Sequence, residues 1–151
     1  MTVGEFCNRE VVVSTRSADI ILLSQLMREH HVGDIVIVDA TEEGQNMPAG
    51  IITDRDIVIE LIACEVPLNT VKAEDVMSRD LVYVREEDGI WDALRLMQRK
   101  GVRRLIVVNG QGGLEGILTV DDLLELLAEE LNSLSKIPFK GVSKEEETRR
   151  G

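Results

Sequence analysis

The chain has 151 residues, 44% of them apolar and 30% charged, which is enough for one compact domain or two small ones and too apolar for a disordered chain. Aromatics are only 3%, so the core has to be built from Val, Ile and Leu, and platforms for stacking nucleic-acid bases are scarce. With 17 Lys and Arg against 28 Asp and Glu the net charge is -11, which repels polyphosphate backbones and anionic lipids; neither nucleic acid nor a membrane is expected as a partner, and an anionic ligand must be held by a few local donors.

In chain order, Met1–Glu10 carries no basic and apolar leader pattern, and no apolar run reaches the roughly 18 residues of a membrane helix, so a cytoplasmic location is expected. Val11–Val13 reads as a short strand. Ile20, Leu23, Leu26 and Met27 then recur at three and four, the spacing of a helix with one buried face. The β-branched run IVIV (35–38) reads as a strand covered on both sides. A turn-rich loop, DATEEGQNMPAG, leads straight into the second apolar run GII, so this connection is a hairpin. Asp54–Ala63 has helical periodicity with acids in its first turn, where the helix dipole favours them, and Val66–Asp75, with Pro67, reads as a joint.

Beyond the joint the same order recurs. At a shift of 70, FCNRE (6–10) falls on VMSRD (76–80) and SQLMREHHVGDIVIVD (24–39) on LRLMQRKGVRRLIVVN (94–109). Past the loop the shift becomes 66, with GIITDRDIVIEL (50–61) on GILTVDDLLELL (116–127), so the first copy carries the longer loop. The second copy therefore reads as a strand at Leu81–Val84, a helix through Ile90, Leu94 and Met97, the strand LIVV (105–108), the hairpin strand GIL, and a helix at Val120–Leu131. A copy of about 55 residues buries too little surface to stand alone. The expected fold is α+β: two β-α-β-β-α repeats, 5–63 and 76–134, packed through their sheets about a pseudo-twofold axis, with a linker at 64–75 and a tail at 135–151 in which Phe139 is a candidate for docking.

Catalytic constellations are weak. Cys7 and Cys64 lack metal-ligand spacing and read as reduced thiols. His30 and His31 end the first helix, where a cation is favoured, with no serine or cysteine placed for a triad. The glycines of NGQGGLEG lead to a strand, not to the helix a dinucleotide fingerprint needs. Neither an enzyme nor a metal site is expected.

One element recurs: GIITDRD (50–56) and GILTVDD (116–122), both Gly-apolar-apolar-Thr-x-x-Asp. In each, a hydroxyl, the free N–H groups of a helix start and a carboxylate face one spot, which suits phosphate at the donors and ribose hydroxyls at the acid. The plainer reading is a helix cap, Thr53 with Asp56 and Thr119 with Asp122.

With VMSRD, the strand run ending VVN and this element in both copies, residues 5–131 resemble a tandem pair of cystathionine-β-synthase (CBS) domains, a Bateman module. The resemblance implies two clefts for adenosine ligands such as AMP, ATP, NAD or S-adenosylmethionine, with Thr53 and Asp56 serving one and Thr119 and Asp122 the other. It also directs attention to the residues before the second strand. Arg103 and Arg104 suit phosphate, whereas of their counterparts Gly33 and Asp34 the acid does not, and Arg55 is a partial substitute in the first repeat. Val12, Val13, Tyr83 and Val84 are candidates for the adenine, with ordinary core as the plainer reading. The implied function is a regulatory module sensing energy or redox state, with no required cofactor and a separate effector protein. A homodimer is implied, for which the faces Ile57–Ile62 and Leu123–Leu131 are available. A ligand-independent interaction module regulating a partner enzyme or transporter is the alternative.

Overall fold

The structure is a computed structural model and describes residues 1–138. Phe139, the expected anchor of the tail, lies outside the described residues. Two three-stranded sheets form the centre. The first contains β1 (Val13–Ser14), β2 (Asp34–Ala40) and β3 (Asn46–Thr53), and the second contains β4 (Tyr83–Arg85), β5 (Arg104–Val108) and β6 (Leu114–Thr119). In each, the middle strand pairs parallel to the short first strand and antiparallel to the third. The antiparallel pairs are the hairpins expected from the two turn-rich loops.

The continuous apolar runs are explained by strand period two. Ile35 and Ile37 of β2 point to one side, against Ile20, Leu23 and Met27 of α2 (Ile20–His30). Val36 and Val38 point to the other, where they meet Ile106 and Val108 of β5 and Ile117 of β6. Leu105 and Val107 complete the arrangement against Ile90 and Met97 of α5 (Ile90–Lys100). The sheets thus pack face to face through a Val and Ile layer, with helices outside. Both helices end on a left-handed residue, His31 (φ 53°) and Gly101 (φ 64°), so the histidine does in one copy what glycine does in the other.

The segments leading into the repeats are exchanged. Val3 and Phe6 of α1 (Val3–Phe6) pack in the core of the second repeat, whereas Ala73 and Met77, in and after α4 (Ala73–Val76), pack in the first. Backbone pairings repeat this in twofold fashion. Thr2 lies opposite Gly89 and Lys72 opposite Asp19, while Asn8 lies opposite Ile117 and Ser78 opposite Ile51. Each crossing runs over the glycine that opens the repeated motif. A Cβ on Gly116 would stand 2.7 Å from the carbonyl oxygen of Asn8, and one on Gly50 would run into the Met77 side chain. At Gly116 the glycine is required by close approach of another backbone, and at Gly50 by the Met77 side chain lying across it.

The first strands start later than their apolar residues suggest. Before Val13 and Tyr83 only a carbonyl joins each ladder, Val12 accepting from Val36 N–H (3.0 Å) and Val82 from Ile106 N–H (2.9 Å). The helix after β3 is one α turn, α3 (Asp54–Asp56), that widens into a π-helix over Ile57–Ile62, its ring closed by Ala63 N–H on Val58 C=O (2.8 Å). Its counterpart α6 (Val120–Ser135) stays regular and continues beyond Leu131. The joint contains a 3-10 turn (Leu68–Thr70) and α4.

Candidate functional site

Two cavities stand at equivalent places of the pseudo-twofold. One, of about 260 Å³, is lined by Asp80, Leu81, Val82, Val102, Arg103 and Arg104, with Ile51 contributed by the other repeat; it is called the arginine cleft below. The second, of about 210 Å³, is lined at the matching positions by Glu10, Val11, Val12, Val32, Gly33 and Asp34, with Ile117 from the other repeat, and in addition by Asn8, Thr119 and Asp122. Each cleft therefore needs both repeats: the start of the central strand comes from one, the end of the third strand from the other.

Both Thr–Asp elements form the reciprocal helix cap. Asp122 N–H donates to Thr119 Oγ1 (3.2 Å) and Thr119 N–H to Asp122 Oδ2 (2.9 Å); Asp56 N–H donates to Thr53 Oγ1 (3.1 Å) and Thr53 N–H to Asp56 Oδ2 (3.0 Å). The cap uses the hydroxyl as acceptor and one carboxylate oxygen. It leaves the hydroxyl proton and Asp Oδ1 for a ligand, so capping and binding are compatible.

The sequence candidates divide by location. Thr119, Asp122 and Val12 line the acidic cleft, and Arg103 and Arg104 the arginine cleft. Asp56 instead lines an adjoining cavity with Asp75 and Ser78; Ser78 is hydrogen-bonded to Ile51 through both backbone groups (2.9 and 3.0 Å), so the two cavities meet at that bridge. Thr53 caps beside them, and Arg55 is exposed on the first turn of α3. Val13 packs in the layer between the sheets, Val84 is buried against the helices of its own repeat, and Tyr83 between them is exposed; none of the three lines either cleft. Val82, two residues before Val84, takes the position equivalent to Val12. The alignment of FCNRE with VMSRD carries the signal for Glu10 and Asp80, which composition alone did not single out.

Electrostatically the clefts are opposites. The arginine cleft holds two guanidinium groups and one carboxylate; the acidic cleft holds Glu10, Asp34 and Asp122 and no cation among its described lining. Arg104 Nε donates to Asp34 Oδ2 at 2.8 Å, joining the first residues of β5 and β2 across the axis. Arg103 makes no ion pair among the described residues. Cys7, close to the crossing at Gly116, is half-buried, and burial pushes its thiol pKa up, the reverse of what an activated nucleophile needs. Among the described residues no three His, Cys, Asp or Glu side chains are grouped to hold a metal, and no helix is long and apolar enough to cross a membrane.

Sheet pair, exchanged lead-ins and twin clefts define a tandem β-α-β-β-α module. The CBS domain family model matches residues 3–63 and 73–129, and the chain belongs to this family, with two domains in tandem. An uncharacterized protein of Methanopyrus kandleri is 36% identical over 126 residues, 83% of this chain, which spans 62% of that relative's length. Among solved structures, the CBS domain pair of protein MJ0100 in complex with 5-methylthioadenosine and S-adenosyl-L-methionine matches with TM-score 0.71 at 22% identity, covering 86% of this chain and 98% of that one. The cytosolic domain of the Mg2+ channel MgtE in complex with ATP matches with TM-score 0.68 at 25% identity, covering 83% of this chain and 48% of that one.

Proposed function

We propose that the chain is a regulatory module, without chemistry of its own, that binds an adenosine nucleotide of the AMP, ATP or NAD class in the clefts between its repeats and reports energy or redox state to another protein. The observation that carries this reading is the arginine cleft. A cavity with an apolar floor of Leu81, Val82 and Ile106 stands beside Arg103 and Arg104, offering a slot for a base and forked donors for phosphate. Thr53–Asp56 and Thr119–Asp122, each retaining a hydroxyl proton and a carboxylate oxygen, supply groups for phosphate and ribose. The adenosine ligands held by the two structural neighbours support the ligand class. Because each cleft draws on both repeats, a bound ligand favours one relative setting of the sheets, which is the two-state element a sensor requires.

The working unit is the repeat pair, 5–63 and 76–134, in a homodimer. The exposed row Leu124, Leu127, Leu131 and Leu134 along α6, with Val58, Ile59 and Ile62 on the π-helix, favours a protein contact there. The same row supports a second reading, a ligand-independent module docking a partner enzyme or transporter. Equilibrium dialysis of labelled AMP, ATP and NAD against the protein and its Asp56→Ala and Asp122→Ala variants separates the two. The sensor reading requires saturable binding weakened by at least one substitution. Absence of binding leaves the docking module.

A further inference from the structure

We infer that the Arg104–Asp34 ion pair couples the two clefts, so that a phosphorylated ligand in the arginine cleft disfavours a second one in the acidic cleft while leaving an uncharged nucleoside welcome there. This deepens the proposed function and rests on it. Arg104 lines the arginine cleft and Asp34 the acidic one, and their side chains meet at 2.8 Å where the strands bearing them come together across the axis. A further cavity of about 310 Å³ borders both residues and includes Arg103 from one cleft and Gly33 and Thr119 from the other, so the clefts communicate at this point.

Through this bond the guanidinium partly neutralises Asp34, leaving Glu10 and Asp122 as the uncompensated charges of the acidic cleft. A phosphate accepting from Arg104 takes up that positive charge, whether the Nε bond to Asp34 breaks or the guanidinium is shared. Asp34 then counts in full, and three carboxylates face any second phosphate. A ligand without phosphate loses nothing, because its apolar base and hydroxyl contacts are to Val12, Ile117 and the Thr119–Asp122 cap. Linkage makes the effect reciprocal. The pair is part-exposed, with the Arg104 side chain at 42% and that of Asp34 at 24%, which places the coupling near the low end of the usual range, about five-fold in affinity.

The test is calorimetry on the full chain with AMP and with adenosine, each alone and each after saturation with the other, repeated on Asp34→Asn. That substitution is nearly isosteric and keeps an acceptor for Arg104 Nε. Expected for the wild type are one tight and one weaker AMP site, with adenosine still binding after the first AMP site is filled. In Asp34→Asn the gap between the two AMP sites narrows by about five-fold, and raising salt narrows it in the wild type. Two AMP sites of equal affinity, or a gap that Asp34→Asn and salt leave unchanged, overturn the coupling and spare the proposed function. No binding of either ligand overturns the coupling, and the proposed function falls with it only if ATP and NAD, titrated in the same way, also fail to bind.

Discussion

Gly116→Ala tests the exchanged lead-ins, on which the construction of both clefts depends. The new Cβ would stand 2.7 Å from Asn8 O and 3.0 Å from Cys7 Sγ, so backbone must move. The movement strains or breaks the two bonds of the crossing, Asn8 N–H to Ile117 O (2.8 Å) and Ile117 N–H to Asn8 O (2.9 Å). Overpacking costs about 1–3 kcal/mol and a lost hydrogen bond about 1, and because relieving one aggravates the other, the expected total is about 2–3 kcal/mol. For a chain of this size that lowers Tm by about 6–9 °C. Gly50→Ala meets the buried Met77 side chain from Sδ to Cβ instead of backbone, so about 1–2 kcal/mol is expected; Gly110→Ala meets nothing within 4 Å and should stay within about 0.5 kcal/mol of the wild type. Urea and thermal unfolding of the three variants give the ranking. A Gly116→Ala protein as stable as Gly110→Ala would refute the crossing.

Further expectations concern the core, the caps, pH and assembly. Ile106→Ala, in the layer between the sheets and 2% exposed, should cost about 3 kcal/mol in urea unfolding and loosen both clefts at once. Thr119→Ala removes the hydroxyl from the α6 cap and should cost about 1 kcal/mol, checked by thermal unfolding. Arg16 holds Asp39 in two charge-assisted bonds of 2.8 and 2.9 Å and keeps its carboxyl below the ordinary value near 4. Being lowered in the folded state, Asp39 contributes stability above the ordinary carboxylate pKa and loses it as pH falls through its own; NMR titration should show its midpoint rise in Arg16→Gln. Leu131→Glu, in the exposed α6 row, should shift a dimer toward monomer in sedimentation without lowering Tm of the monomer.

How far the sequence was legible follows from where each constraint acts. The shifts of 70 and 66, the hairpins and the caps are local or periodic, and they appear in the structure as the paired bridges Thr2–Gly89 and Lys72–Asp19 and as the reciprocal bonds of Thr53 and Thr119. The exchange of lead-ins was not legible, because VGEF and AEDV each sit next in sequence to the repeat they leave. That hid the mixed parentage of each cleft. It also hid the meaning of Asp34, which reads as a poor phosphate neighbour by itself and is, across the axis, the partner of Arg104. The adenine candidates illustrate a further gap: Val82 and Val84 lie on one face of a short apolar strand and pack against the same core, and only the neighbours brought beside Val82, Arg103 and Arg104 among them, make it part of the cleft.

The central claim is that the clefts take an adenosine nucleotide, and it is tested most directly by thermal unfolding of protein freed of co-purified ligand in the presence of AMP, ADP, ATP, NAD, NADH, S-adenosylmethionine and, as control, GMP. A ligand at about 100 times its dissociation constant adds about 2.7 kcal/mol, a rise in Tm of several degrees. The account predicts such a rise with at least one adenosine ligand and none with GMP. An unchanged Tm with every ligand at millimolar concentration would contradict it.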